Sequence, residues 1–303
     1  MNQGLRLLAI HAHPDDESSK GAATMARYVS EGNRVMVVTC TGGERGDILN
    51  PALLAEDTTA DDIAAIRRTE MAQAAAILGV EHMWLGYEDS GLPSGDPLPP
   101  LPEGCFALQD NDEVVRRLVG VLRTFRPHVI ITYDENGGYP HPDHLKVHEV
   151  SMLAWDACAD PEYAPELGRA WAPLKMYYTH GFIRQRLELF DAESERLGQP
   201  RPYQEILGRW KSLRGDIMSR VTTQVDVANF FEQRDDALRA HATQIDPAGT
   251  FFATSLDVQR RLWPTEEFEL ARTRIDVPGF EGVTRLPGAG METDLFAGIE
   301  DES

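Results

Sequence analysis

Cysteine is scarce in this chain. Cys40, Cys105 and Cys158 are the only three, and none forms a CxxC pair. That count excludes a disulfide framework, so reduced thiols and a cytoplasmic location are the expectation. Long apolar runs are missing as well. No stretch of about 20 apolar residues could span a bilayer. The first apolar run lacks the basic flank and cleavage site of a leader, so it reads as a strand. Positive charge is in deficit: 29 Lys and Arg face 49 Asp and Glu, a formal net charge of −20. Such a surface repels phosphate backbones and anionic lipid, so neither nucleic acid nor membrane is expected as a partner. No G-x-G-x-x-G follows a strand, and no Walker A loop or G-x-S-x-G elbow occurs. Dinucleotide, nucleotide-phosphate and serine-hydrolase chemistry therefore lack their signatures. The lone glycine pair in TGGERG is weak support for phosphate binding. Internal repeats and low-complexity linkers are also absent, and nothing in the sequence marks an oligomeric state.

What is present alternates in kind. The 303 residues are 42% apolar, enough for a buried core in one large domain or a domain with an appendage. Apolar runs at 5–10, 35–40, 83–85, 128–133 and 174–179 read as buried strands. Helical patterns at 18–31, 63–78, 114–125 and 142–158 lie between them, closed by Gly32, Gly79 and Pro127 where a stop is visible. Strands alternating with crossover helices predict an α/β fold: a Rossmann-like, doubly wound, mainly parallel sheet. The division expected is a hydrolase-type domain over 1–174 and a smaller α/β substructure over 175–303 that helps form a cleft. That second part contains a strand in RVTTQVDV, an amphipathic helix in ANFFEQRDDALRAHATQ and a solvated acidic tail, METDLFAGIEDES.

Chemistry gathers at two strand-to-helix turns. The first strand runs into HAHPDDE, which places His13 and Asp16 where a helix begins. The fourth runs into DENGGYPHPDH, which places Tyr139, His141 and His144 at another helix start. In a doubly wound sheet these two strands can be neighbours at the switch point, where ligands bind. Two imidazoles and a carboxylate make a common catalytic zinc set with a position left for water. HPDD holds one aspartate to bind and a neighbour to act as base. Taken singly, each residue has a plainer reading: a satisfied polar side chain, an N-cap or a first-turn acid. His11 shares a side with His13 and is either a hydrogen-bond partner behind the ligands or packing. Long loops after the second and third strands leave the same edge of the sheet, which favours a functional role for them.

At these residues the chain resembles the LmbE-like zinc-dependent deacetylases of N-acylated glucosamine compounds. HAHPDDE and HPDH are that family's two markers, and the resemblance extends through LRAHATQID. HAHPDDESSKGAAT, TGGERGDILNP, DSGLPSGDPLPPLPEGCFAL and TYDENGGYPHPDH resemble the branch that hydrolyses mycothiol S-conjugates. Lys20 and the proline-rich loop near Pro97–Pro102 set this sequence apart from the biosynthetic deacetylase branch.

The resemblance implies one zinc per chain, with ferrous iron also suited to the donors, on His13, Asp16 and His144. It implies Asp15 as general base. His141 would stabilise the tetrahedral intermediate or protonate the leaving amine, with Asp143 tuning it, and Tyr139 would help polarise the carbonyl. Arg67 and Asp89 would contact sugar and inositol hydroxyls, with Asp47 standing where the family has a glutamate, and Lys20 would help select bulky conjugates. Without the resemblance, Arg67 reads as a helix residue paired with Asp61, Asp62 or Glu70, and Lys20 as solvent-facing. The implied function is a zinc-dependent amidase acting on a small molecule, a mycothiol S-conjugate, in thiol-dependent detoxification. The alternatives are an N-acetylglucosaminyl-inositol deacetylase, a homologue trimming a mycothiol adduct in antibiotic biosynthesis, and a non-catalytic sugar-binding module.

Overall fold

Four strands of the central sheet, near Leu7, Val37, Ile130 and Met176, are short segments buried along nearly their whole length, whereas the strands towards its two ends alternate buried and partly exposed residues. In this computed structural model, residues 4–53, 59–209 and 216–300 are described; residues 54–58 of the first long loop and 301–303 of the acidic tail lie outside them. The strands are β1 (Arg6–His11), β2 (Arg34–Thr41), β3 (Glu81–Tyr87), β4 (Val129–Thr132), β5 (Lys175–Thr179), β6 (Thr223–Asp226) and β7 (Thr265–Thr273), with a small hairpin of β8 (Phe280–Glu281) and β9 (Thr284–Arg285). The seven-stranded sheet has the order β3-β2-β1-β4-β5-β7-β6. The first five strands are parallel, and β7 runs antiparallel to both β5 and β6. The expected doubly wound α/β fold is therefore the observed one. β1 lies between β2 and β4, which makes the gap between β1 and β4 the switch point.

The helices are α1 (Asp16–Ser19), α2 (Ala22–Ser30), α3 (Ala60–Leu78), α4 (Asn111–Phe125), α5 (Pro142–Ala157), α6 (Arg184–Arg196), α7 (Gln204–Arg209), α8 (Phe231–Ala240) and α9 (Leu256–Leu262). Their ends follow local chemistry. Thr59 and Asp62 form a reciprocal capping box on α3, and Asp110 accepts from Asp112 and Glu113 at the start of α4. Alternation along β1 divides the core: Leu5, Leu7 and Ala9 pack with α2, α3 and α8, whereas Leu8, Ile10 and Ala12 pack with α4 and α5.

Three features differ from the sequence expectations. The single helix expected over 18–31 is two helices, broken at Lys20 and Gly21, because Gly21 takes a left-handed φ of 90°. The Thr265–Thr273 strand was not anticipated, and it joins β6 to the same sheet as the first five strands. The acidic tail is docked: Leu295, Phe296 and Ile299 are buried. Within the tail Glu292 meets the fully buried Lys175 at 2.5 Å and also accepts from Tyr177 and Thr223. Acidic composition hid an apolar triplet and one buried ion pair. Lys175 Nζ also donates to the carbonyls of Leu295 and Ala297.

Glu292→Ala leaves the Lys175 ammonium buried without its counter-charge. It is expected to lower unfolding stability by about 3–5 kcal/mol in urea titration, and a loss below about 1 kcal/mol would show that the tail contributes little.

Candidate metal centre

β1 and β4 end side by side, so the turns that follow them face each other. Leu7, Leu8 and Ala9 pair with Val129, Ile130 and Ile131. Past these registers, the first turn carries His13, Asp15 and Asp16, and the second carries Tyr139, His141 and His144. The structure therefore brings His13, Asp16 and His144 together although 131 positions separate the two histidines in the chain. His13 Nδ1 lies 3.3 Å from His144 Nε2 and 3.6 Å from Asp16 Oδ2. The third edge, His144 Nε2 to Asp16 Oδ2, is 3.4 Å. A tetrahedral ion with bonds of about 2.0–2.1 Å separates its ligands by about 3.3–3.4 Å. These three atoms thus already stand at the spacing a small divalent ion requires, and the donor set fits zinc.

The other nitrogens of both histidines are engaged, which fixes which face is free. His144 Nδ1 donates to the Gly137 carbonyl at 2.7 Å, leaving Nε2 as the lone-pair face. His13 Nε2 donates to Asp143 Oδ2 at 3.1 Å, leaving Nδ1 free. Such outer hydrogen bonds orient metal-binding imidazoles and raise their basicity. Gly137 has a left-handed φ of 66°, and a Cβ there would lie 2.7 Å from His144 Cβ, so the carbonyl can approach His144 only from a glycine. A second acidic cluster, His13 with Asp89, His141 and Asp143, uses His13 Nε2, the nitrogen already committed to Asp143. Burial would lower the pKa of His13, yet Asp143, Asp16 and Asp89 raise it well above the ordinary value. The same carboxylate field favours a bound cation.

Asp16 is the most heavily connected carboxylate here. Its Oδ2 accepts from the Tyr133 hydroxyl at 2.6 Å and from the His13 amide at 3.0 Å. Lys20 Nζ sits 2.5 Å from its Oδ1. Burial would raise its pKa, but Lys20 and His144 hold it well below the usual carboxylate range. Lys20 is itself buried: it turns inward onto Asp16 and does not face solvent. Tyr133 also accepts from the Ala12 amide and stacks on His144 at 4.3 Å.

Asp15 caps α1 with φ 115°, a left-handed value rare outside glycine, and without a side-chain cap bond. Burial and then the charge of Asp16 push its pKa up to about 6. His141 caps α5, its Nδ1 accepting from the Asp143 amide, so its proton resides on Nε2. Burial, His13 and His144 bring it down to about 3, which keeps the ring neutral. The Asp143 carboxylate contacts His13 and Ser90; it is 4.0 Å from His141 Nδ1. Tyr139 lies against His144, with ring centres 4.6 Å apart. Its hydroxyl is pushed up to about 12, by burial first and by Asp16 second, and so remains a donor.

The remaining candidates surround this centre. Asp89 is buried, accepts from the Arg45 and Gly91 amides, and lies 3.4 Å from His13 Nε2. Arg67 is 1% exposed. It donates to the Asp47 carbonyl and lies close against Gly43 and Gly46. It forms no described ion pair with Asp62 or Glu70. Asp47 therefore contributes its backbone to Arg67 while its side chain is exposed. His11 is fully buried against Tyr133 with neither ring nitrogen hydrogen-bonded among the described residues, and burial lowers it to about 4.

Sequence reasoning missed Tyr133, Ser90 and Gly137. It also missed Glu17 and His241, whose carboxylate and Nε2 meet at 2.7 Å in full burial. A tyrosine closing the fourth apolar run and a histidine inside LRAHATQID were the available signals.

Comparison with known proteins gives the family. Residues 8–155 match the family model described as PIG-L, GlcNAc-PI de-N-acetylase. The mycothiol S-conjugate amidase of Streptomyces coelicolor is 54% identical over the whole of both chains. The chain belongs to the PIG-L de-N-acetylase family. A second relative, the 1D-myo-inositol 2-acetamido-2-deoxy-alpha-D-glucopyranoside deacetylase of Streptomyces avermitilis, is 39% identical over 97% of each chain. Among solved structures, the N,N'-diacetylchitobiose deacetylase of Pyrococcus horikoshii superposes with a TM-score of 0.57 at 18% identity, covering 88% of this chain and 83% of that one. The 4-carboxy-2-hydroxymuconate hydratase GalB of Pseudomonas putida KT2440 gives 0.59 at 17% identity, covering 90% and 98%. A hydratase beside a deacetylase shows that these likenesses carry the fold alone. The de-N-acetylase match contains both turns of the metal centre. No described helix is long and apolar enough to cross a membrane.

Asp143→Asn removes the carboxylate that orients His13. It is expected to weaken metal binding by about 10- to 100-fold in competition with a chelating dye; unchanged affinity would mean that His13 is held otherwise.

Proposed function

We propose that this chain is a metal-dependent amidase that cleaves the glucosamine–cysteinyl amide of mycothiol S-conjugates, releasing a mercapturic acid and glucosaminyl-inositol. The observation that carries this reading is the 54% identity to the Streptomyces coelicolor amidase along both full chains. The site geometry supports hydrolysis, and a cavity supports the conjugate. About 950 Å³ opens beside Lys20 and Tyr139, walled by Pro140, Leu145, Phe182 and Ile206. An S-substituent would occupy such space, whereas an acetyl group needs none of it.

Zinc is the ion proposed on His13, Asp16 and His144, one per chain, with ferrous iron suited to the same donors. When bound, such an ion supplies Lewis acidity and lowers the pKa of water. The protein's own groups perform the rest. Asp15 takes the proton of the attacking water; at about 6 it is ionised at neutral pH and more basic than an ordinary carboxylate. The Nε2–H of His141 and the hydroxyl of Tyr139 donate to the oxygen on which charge develops. As the C–N bond breaks, the proton held by Asp15 returns to the glucosamine nitrogen, directly or through His141. Arg67, Asp89 and Asp47 are proposed to bind the hydroxyls of the sugar–inositol half, the guanidinium as donor and the carboxylates as acceptors. Lys20 borders the cavity and steadies Asp16, so it links conjugate selection to the metal ligand.

The 39% relative favours one competing reading, deacetylation of N-acetylglucosaminyl-inositol. Metal-loaded protein should turn over a mycothiol–bimane conjugate at least about tenfold more efficiently than the acetylated substrate, the ratio of kcat/KM values measuring the choice. The reverse ratio would establish the deacetylase, and no turnover of either would favour a binding module. Asp15→Ala is expected to reduce turnover by about 100- to 10,000-fold; wild-type turnover would contradict its role as base. Lys20→Ser should narrow the preference for the conjugate at full metal content, and an unchanged ratio would remove Lys20 from substrate selection.

A further inference from the structure

We infer that Glu17 and His241 are positioning residues that hold Asp15 in its working conformation; this rests on Asp15 being the base. Asp15 occupies a backbone region that a non-glycine residue enters only when its surroundings enforce it. Its side chain makes no cap bond, so the enforcement comes through the main chain. The Asp15 amide donates to Glu17 Oε2 at 3.0 Å. The other Glu17 oxygen accepts from His241 Nε2 at 2.7 Å and from the Ser18 hydroxyl. Glu17 and His241 are both fully buried. Among the described hydrogen bonds, neither side chain bonds the side chains of His13, Asp16 or His144; Glu17 is tied to that turn through the Asp15 amide and the Ser18 hydroxyl.

His241 is in turn fixed by its neighbours. It follows α8, and the next residues are tied to the first half of the chain. The Ala242 carbonyl accepts from Asn50, the Thr243 amide and hydroxyl both donate to Glu70, and the Thr243 carbonyl accepts from Leu49. The segment 241–243 thus grips three places: the metal turn through Glu17, the loop after β2 through Leu49 and Asn50, and α3 through Glu70. α3 also carries Arg67, which bonds the same loop at Asp47. One short stretch after α8 therefore sets the base and the proposed sugar-binding loop relative to each other. A pair serving stability alone would have no need to bond the backbone of the strained residue. Displacing a reacting group by about 1 Å can cost about 100-fold in rate, so the brace should be read in kcat.

Glu17→Ala, Glu17→Gln and His241→Gln are compared with wild type on the bimane conjugate, each checked for one bound metal per chain. Glu17→Ala is expected to lower kcat about 100-fold with KM within about threefold. Glu17→Gln keeps an acceptor for the Asp15 amide and should recover to within about tenfold of wild type, and His241→Gln keeps a donor and should do the same. In an Asp15→Ala background the Glu17→Gln change should alter the residual rate by less than about twofold, because the residue it positions is gone. The double variant avoids any dependence on the folding of Glu17→Ala. Wild-type kcat in metal-loaded Glu17→Ala, or a Glu17→Gln effect that survives undiminished without the Asp15 carboxylate, would overturn the brace alone. No turnover by metal-loaded wild type would overturn the base assignment and the brace with it.

Discussion

Backbone pairing between β1 and β4 is the constraint on which the centre depends. The two strands lie far apart in sequence, yet their parallel register sets Ala9 against Ile131. Four residues then lead from β1 into α1, and nine lead from β4 into α5. The imidazoles of His13 and His144 must therefore meet above the same gap. Apolar residues on both faces of β1 hold the strand in place, so the polar turn is mounted on a rigid end. Switch-point geometry of this kind is where doubly wound sheets commonly place ligands.

Around that meeting point, the charges are arranged in opposition. Four carboxylates, Asp15, Asp16, Asp89 and Asp143, crowd one side of the sheet edge. Lys20 answers Asp16, His13 answers Asp89 and Asp143, and Arg67 lies nearby within the field of Asp15 and Asp89. Asp15 has no direct cation and titrates highest of those whose shift is resolved. That asymmetry separates a carboxylate suited to ligation from one suited to proton transfer, although the two are adjacent in sequence. It is the physical content of the paired aspartates in HPDD.

Local sequence carried much of this. HAHPDDE joins a strand end to a helix start, HPDH opens the helix that follows the fourth apolar run, and the alternation of apolar runs implied the sheet that joins them. Asp16, His13 and His144 were readable because their chemistry is concentrated at turns. Tyr133 was not, because a tyrosine at the end of an apolar run looks like packing until its hydroxyl is seen 2.6 Å from Asp16. Glu17 and His241 were hidden for a different reason: their partnership spans 224 positions, and no local period encodes it. Of the two readings open for Lys20, a solvent-facing helix residue and a selector of bulky conjugates, burial against Asp16 removes the first: the helix breaks at Gly21 and the lysine turns inward. The acidic tail misled by composition, since its three apolar anchors are outnumbered by charge.

The most direct test of this account is anomalous diffraction from zinc-loaded crystals at the zinc absorption edge. A single peak per chain is expected, within bonding distance of His13 Nδ1, Asp16 Oδ2 and His144 Nε2, with His13 Nε2 still on Asp143. A peak on the opposite side of His13, among Asp89, His141 and Asp143, would contradict the ligand set and the roles built on it.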